Sequence, residues 1–128
     1  MILSIDMISD VPIYTQLCHQ IIKSIAMKEL KTGDDLPSVR SLASDIGVNL
    51  HTINKAYNHL KSEGFLVVNR RKGVTVNHPE AYKSNPIYLE GLKSELEILL
   101  IEAIARGLDI GEFKSIVDSI ATEMKGES

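Results

Sequence analysis

Three residues, Gly47-Val48-Asn49, constrain this chain more than any others, because they join two stretches of helical periodicity. Residues 38–46 place apolar side chains at Val39, Leu42, Ala43 and Ile46, three and four apart, and residues 49–63 do so at Ile53, Ala56, Tyr57 and Leu60. Ser38, after Pro37, and Asn49 are side chains that accept N–H bonds from the first turn of a helix. Gly47 and Gly64 supply the left-handed residue that closes one. The spacing predicts helices over 38–46 and 49–63, joined by the short glycine-containing turn of a helix-turn-helix.

The outward face of the second helix carries Leu50, His51, Asn54, Lys55, Asn58 and His59, with Thr52 near its edge and no carboxylate. Solvated helices ordinarily mix Glu with Lys. Asn, His and Thr instead offer donors and acceptors at short reach, as base edges in a major groove require. Taken alone, this face is equally open to being an ordinary polar one. The context favours nucleic acid. Residues 65–69 and 74–76 are β-rich and flank Arg70-Arg71-Lys72-Gly73, three cations and a turn glycine. That predicts a hairpin wing whose tip can follow phosphates or enter a minor groove.

Three segments, PIYTQLCHQIIKSI, then LKTGDDLPSVRSLASDIGVNLHTINKAYNHLKSEGFL, then RRKG with TV, resemble the winged helix-turn-helix domain of the GntR family of bacterial transcription regulators. The match runs from Pro12 to about Val76 in order, spacing and Gly/Pro placement. The resemblance implies sequence-specific binding to a double-stranded DNA operator as a dimer. It also implies a DNA-backbone contact for Arg40, against the alternative of a surface ion pair with Asp45 or Glu63, which contributes little. The pattern departs at Leu50, where many members carry Arg, and at Asn54, where many carry Arg or Gln. Leu50 suits a thymine methyl, so operator preference should differ from that of Arg-bearing relatives.

The chain has 128 residues, 44% hydrophobic, enough for one domain with a small appendage. Its net charge of −3 disguises an asymmetry. Residues 1–78 hold nine Lys/Arg against seven Asp/Glu, and residues 79–128 hold five against ten. A cationic module joined to an anionic one fits a DNA binder with a protein-facing tail. No run approaches the ~18 apolar residues of a membrane span, and residues 1–7 lack the basic start of a secretory signal. One cysteine, Cys18, leaves no internal disulfide and fits a reducing cytoplasm. Cys18 and His19 point about 100° apart on a helix and make a poor ligand pair. There is no nucleophile triad, phosphate-binding glycine loop or metal-spaced cluster, so neither an enzyme nor a cofactor or metal is expected.

In order, residues 1–8 read as a short strand or arm. A helix is expected from Pro12 to about Leu30, burying Ile13, Leu17, Ile21 or Ile22, Ile25 and Leu30. Residues 32–35 form a turn, and Leu36 returns to the core. The winged domain, 1–78, gives way to a polar linker, 79–86. In 87–128, Leu89, Leu92, Leu96, Leu99, Ala103 and Ile104 make one helical stripe. Arg106-Gly107 ends that helix, and Asp109 with Glu112 forms a capping box, with Leu108 and Phe113 at the staple positions. Phe113, Ile116, Val117, Ile120 and Met124 make a second stripe. Two such helices hold too little core to stand alone, so the pair reads as a homodimerisation element, the alternative being packing on its own winged domain. A two-helix tail of this length resembles the YtrA subfamily, whose members are often repressors of transporter operons.

The expected architecture is therefore mainly α with a small β-hairpin, a winged helix-turn-helix followed by a two-helix dimerisation hairpin. Base-edge candidates are Asn49, Leu50, His51, Thr52 and Asn54. Phosphate and groove candidates are Arg40, Lys55, Arg70, Arg71, Lys72 and Gly73. Dimer candidates are Leu92, Leu96, Leu99, Ala103, Phe113, Ile116, Val117 and Ile120. A winged helix that binds only protein is the rival reading, and a small-molecule effector at the dimer or domain interface is left open.

Overall fold

In the computed structural model, which describes residues 3–127, the order is α1 (Ile13–Ala26), α2 (Val39–Ile46), α3 (Leu50–Ser62), β1 (Leu66–Asn69), β2 (Gly73–Val76), a 3₁₀ turn (Pro79–Ala81), α4 (Pro86–Ala105) and α5 (Ile110–Glu127). It is mainly helical with one small antiparallel hairpin, as expected. The chain divides into two compact units, one ending at Lys83 and one beginning at Ser84.

The first unit is built around α3. Ile53, Ala56, Tyr57 and Leu60 are buried completely or nearly so, against Leu17 and Ile21 of α1, Leu42 of α2, and Leu66 and Val76 of the hairpin. It is Ile21 of the Ile21/Ile22 pair that is fully buried. The Tyr57 hydroxyl donates to the Pro37 carbonyl at 2.8 Å, which satisfies a buried polar group and ties α3 to the entry of α2. The Ser38 hydroxyl accepts from the Ser41 N–H at 3.1 Å, and Gly47 closes α2 at φ 65°. The Asn49 carbonyl oxygen of the side chain accepts from the His51 N–H at 2.7 Å and opens α3.

Strand register pairs Leu66 with Val76 and Asn69 with Gly73. The segment read as a plain turn does more than turn: Asp35 bridges to Thr75, and the Leu36 N–H donates to the Val74 carbonyl at 2.9 Å. β2 is thus held on both edges, and the wing is fastened to the loop before α2.

The structure departs from, or sharpens, the sequence expectations in several places. α1 ends at Ala26, four residues before Leu30. Lys28 takes φ 64°, and the N–H groups of Glu29 and Leu30 both return to the Ser24 carbonyl, so Leu30 still reaches the core. A lysine at the left-handed position carries none of the signal a glycine would. The stretch expected as a polar linker is also partly ordered by packing. Its Tyr82 ring meets Phe65 edge-on at 5.2 Å and lies so near Gly64 (φ 96°) that a Cβ there would sit 2.8 Å from the Tyr82 Cβ. Of the strand or arm expected over residues 1–8, residues 1–2 lie outside the described residues, and residues 3–8 take the form of an arm. They are held by Gln16, whose amide donates to the Asp6 carbonyl and accepts from its N–H, and by Gln20, which does the same at Ser4.

In the second unit, Asn85 caps α4 through the N–H groups of Ile87 and Tyr88. Gly107 turns the chain at φ 99°. Asp109 and Glu112 form the reciprocal capping box, at 3.1 and 2.8 Å. Leu108 and Phe113 are half-buried. The single stripe expected for α4 is too narrow a description. Ile98 and Ile101 lie off it and are 68% and 59% exposed, so the apolar surface near the end of this helix is wider than one stripe, interrupted by Glu97 and Glu102. Apolar surface of that width is ordinarily covered. An apolar groove of about 650 Å³ runs between α4 and α5, floored by Leu96, Leu100, Phe113 and Val117.

Candidate nucleic-acid interface

Burying one side of α3 completely leaves the other to solvent. Leu50, His51, Asn54, Lys55 and Asn58 are exposed, and Thr52, on the edge, is half-buried. No carboxylate falls within Leu50–Ser62. Asn49 has its side-chain oxygen committed to the helix cap, which leaves its amide N–H groups free to donate.

Arg40 sits exposed in the first turn of α2, and among the described residues no carboxylate pairs with it, so the ion pair with Asp45 or Glu63 is absent. The wing tip presents Arg70, Arg71 and Lys72, all exposed. Their backbone is shaped by Asn69, whose side-chain oxygen accepts the N–H of Arg71 at 2.9 Å and of Lys72 at 3.2 Å, while Gly73 turns the chain at φ 87°. Lys72 also lies 4.0 Å from the Asp35 carboxylate. Both side chains are more than half exposed, so the pair is weak and readily exchanged.

Lys55 is held differently. Its Nζ lies 4.6 Å from the centre of the Tyr14 ring, and that ring meets His59 at 5.9 Å and 66°. Sequence reasoning missed Tyr14 and Asn69. An Asn before a cationic turn is a recognisable Asx-turn signal, whereas nothing in the sequence marks Tyr14.

Burial sets the titration of the phenols and thiol nearby. It pushes Tyr57 up to about 12, and raises Tyr14, with Cys18 and Glu63 adding to the effect. Burial also raises Cys18, partly offset by its hydrogen bond with Tyr14. All three are neutral at physiological pH. No group of three or more His, Cys, Asp or Glu suited to a metal ion exists among the described residues. Among the described residues, no helix is long and apolar enough to cross a membrane.

Of the dimer candidates, Leu92, Leu96, Leu99, Ile116, Val117 and Ile120 are exposed and Phe113 is half-buried. Ala103 differs, being only 9% exposed in the single chain, so it has little surface left to offer a partner.

The profile of the family described as bacterial regulatory proteins, gntR family, matches residues 13–76, from the start of α1 to the end of β2. The chain belongs to the gntR family. Among curated gntR relatives, the HTH-type transcriptional repressor YtrA of Bacillus subtilis (strain 168) is 33% identical over 97% of this chain and 95% of its own. Of solved structures, a transcriptional antiterminator from Listeria monocytogenes EGD-e superposes at TM-score 0.81, 26% identical, over 98% of this chain and 93% of its own. YtrA from Sulfolobus acidocaldarius, a GntR-family transcription factor, is 43% identical at TM-score 0.64, over 82% and 99%. The DNA-binding domain of AraR, in complex with operator ORX1, is 26% identical at TM-score 0.52, over 58% and 95%. The chain is therefore a YtrA-like transcription regulator with a DNA-binding helix-turn-helix, and not an enzyme.

Proposed function

We propose that this gntR regulator is a cytoplasmic repressor that binds a pseudo-palindromic DNA operator as a homodimer. Two copies of α3 enter successive major grooves about one helical turn apart. Asn49, Leu50, His51, Thr52 and Asn54 face base edges. Arg40, Lys55 and the wing residues Arg70, Arg71, Lys72 and Gly73 follow the phosphates and the adjoining groove.

One observation carries the reading: the exposed side of α3 is free of carboxylates, and the arginines of α2 and the wing lack acidic partners among the described residues. A protein-binding module has no need to leave Arg40, Arg70 and Arg71 uncompensated. The AraR domain, which resembles the first unit, is itself bound to an operator.

Dimerisation is proposed through residues 87–128. Each large apolar side chain taken from water contributes ~1.5–3 kcal/mol. Leu92, Leu96, Leu99, Ile116, Val117 and Ile120 are each about half exposed, so covering them in both copies contributes about half of that per side chain, ~9–18 kcal/mol in all, set against an association cost of ~4–15 kcal/mol. Shift assays on genomic fragments at moderate salt test DNA binding. A discrete retarded species on a few fragments supports it, and equal or no retention of all fragments contradicts it.

A further inference from the structure

Lys55 lies on the exposed face of α3, where its side chain reaches toward Tyr14 of α1. At 3.6 residues per turn, His51 and Asn58 occupy the middle of that face with Lys55 beside them, while Asn54 lies toward one edge and His59 toward the other. A lysine beside Asn54, with four rotatable bonds, has the reach to sweep across base edges and blur their readout. Here its ammonium rests over the Tyr14 ring at 4.6 Å, and His59 closes against the same ring. No acid among the described residues pairs with Lys55; Glu63, the next carboxylate along the chain, follows about two turns later. An aromatic face orients a cation without cancelling its charge. A carboxylate in the same place would orient it and also compete with phosphate.

We infer that Tyr14 is a positioning residue: its ring parks the Lys55 ammonium at the α1 side of the reading helix, where it serves as a phosphate contact and is kept off the bases. This rests on the DNA-binding reading above and adds a specific division of labour to it. The ring of Tyr14 is the acting part, and its effect on DNA passes through Lys55.

The test uses the full chain, an operator selected from a random duplex pool, and anisotropy titrations across a salt series. Lys55→Met is expected to weaken all duplexes alike and to lower the salt slope by about one. Tyr14→Leu is expected to weaken operator binding about two- to fivefold, the range of an exposed cation–π contact. It should flatten the salt slope partially, and have no further effect in a Lys55→Met background. Tyr14→Phe, which keeps the ring, should rescue both readouts. If Tyr14→Leu does not fold, Tyr14→Met replaces it, and the Lys55 side-chain methylene protons of the wild-type chain report ring proximity directly by an upfield shift. Additive losses from Tyr14 and Lys55, failure of Tyr14→Phe to rescue, an unchanged salt slope in Lys55→Met, or absence of the upfield shift would each overturn this inference while leaving operator binding intact. A wild-type chain that retains no duplex from the pool overturns both.

Discussion

Asn54 and Arg71 separate the two kinds of contact proposed. A bidentate Asn–adenine pair contributes about 1–3 kcal/mol of discrimination. Asn54→Ala should therefore narrow the gap between operator and random duplex by about tenfold or more, with the salt slope unchanged. Arg71→Ala should weaken every duplex alike and lower the slope by about one. Competition titrations at several salt concentrations measure both, and loss of specificity alone in both variants would contradict the assignment. Tyr57 makes a stability prediction. Its folded pKa of about 12 stands above the ordinary phenol value of 10.0, so the folded state holds the proton more tightly. The corresponding stabilisation is complete below about pH 10 and is lost as pH climbs toward 12. At full ionisation the loss is on the order of 3 kcal/mol. Thermal midpoints followed from pH 8 to 12 should fall less steeply in Tyr57→Phe, which has no proton to lose. Parallel curves would refute the argument. At this scale the face of α3 was readable because side-chain type and helical spacing define it. Tyr14 was not readable, because its role depends on α1 crossing α3, a relation that no local pattern encodes.

At the scale of elements, boundaries were legible where a dedicated residue makes them. Ser38, Asn49, Gly47 and the Asp109/Glu112 pair open or close helices through their own chemistry. The end of α1 was not legible, because Lys28 adopts a left-handed φ imposed by the return of Leu30 to the core. The wing's third edge was hidden for a related reason, since Asp34-Asp35 has turn composition and joins β2 through its backbone. Gly64 combines both kinds of information. A positive φ costs a residue with a Cβ roughly 1–2 kcal/mol, and here the Cβ would also strike Tyr82. Gly64→Ala should lower the thermal midpoint by at least several degrees. Tyr82→Ala should soften that penalty when combined with it, because the clash is removed and only the backbone cost remains. A calorimetric double-mutant cycle reports the coupling, and strict additivity would show that Tyr82 is not the obstruction.

For the whole molecule, charge and apolar surface are distributed between the units in opposite senses. Residues 1–78 carry the excess of cations and residues 79–128 the excess of acids, while the exposed large aliphatics are concentrated in α4 and α5. Ile98 and Ile101 extend that surface beyond the stripe visible in the sequence, where only the Leu repeat had a clear period. Leu99→Glu or Ile120→Glu should shift sedimentation from dimer to monomer and weaken operator binding at least tenfold. A variant that stays dimeric would move the interface elsewhere. The most direct measurement for the account as a whole is selection of bound duplexes from a random pool by the intact chain, with footprinting of the winners. The account predicts an inverted repeat whose half-sites lie about one helical turn apart and are protected together on one face of the duplex. Enrichment of no sequence, or of a single unrepeated half-site protected by one subunit, would contradict it.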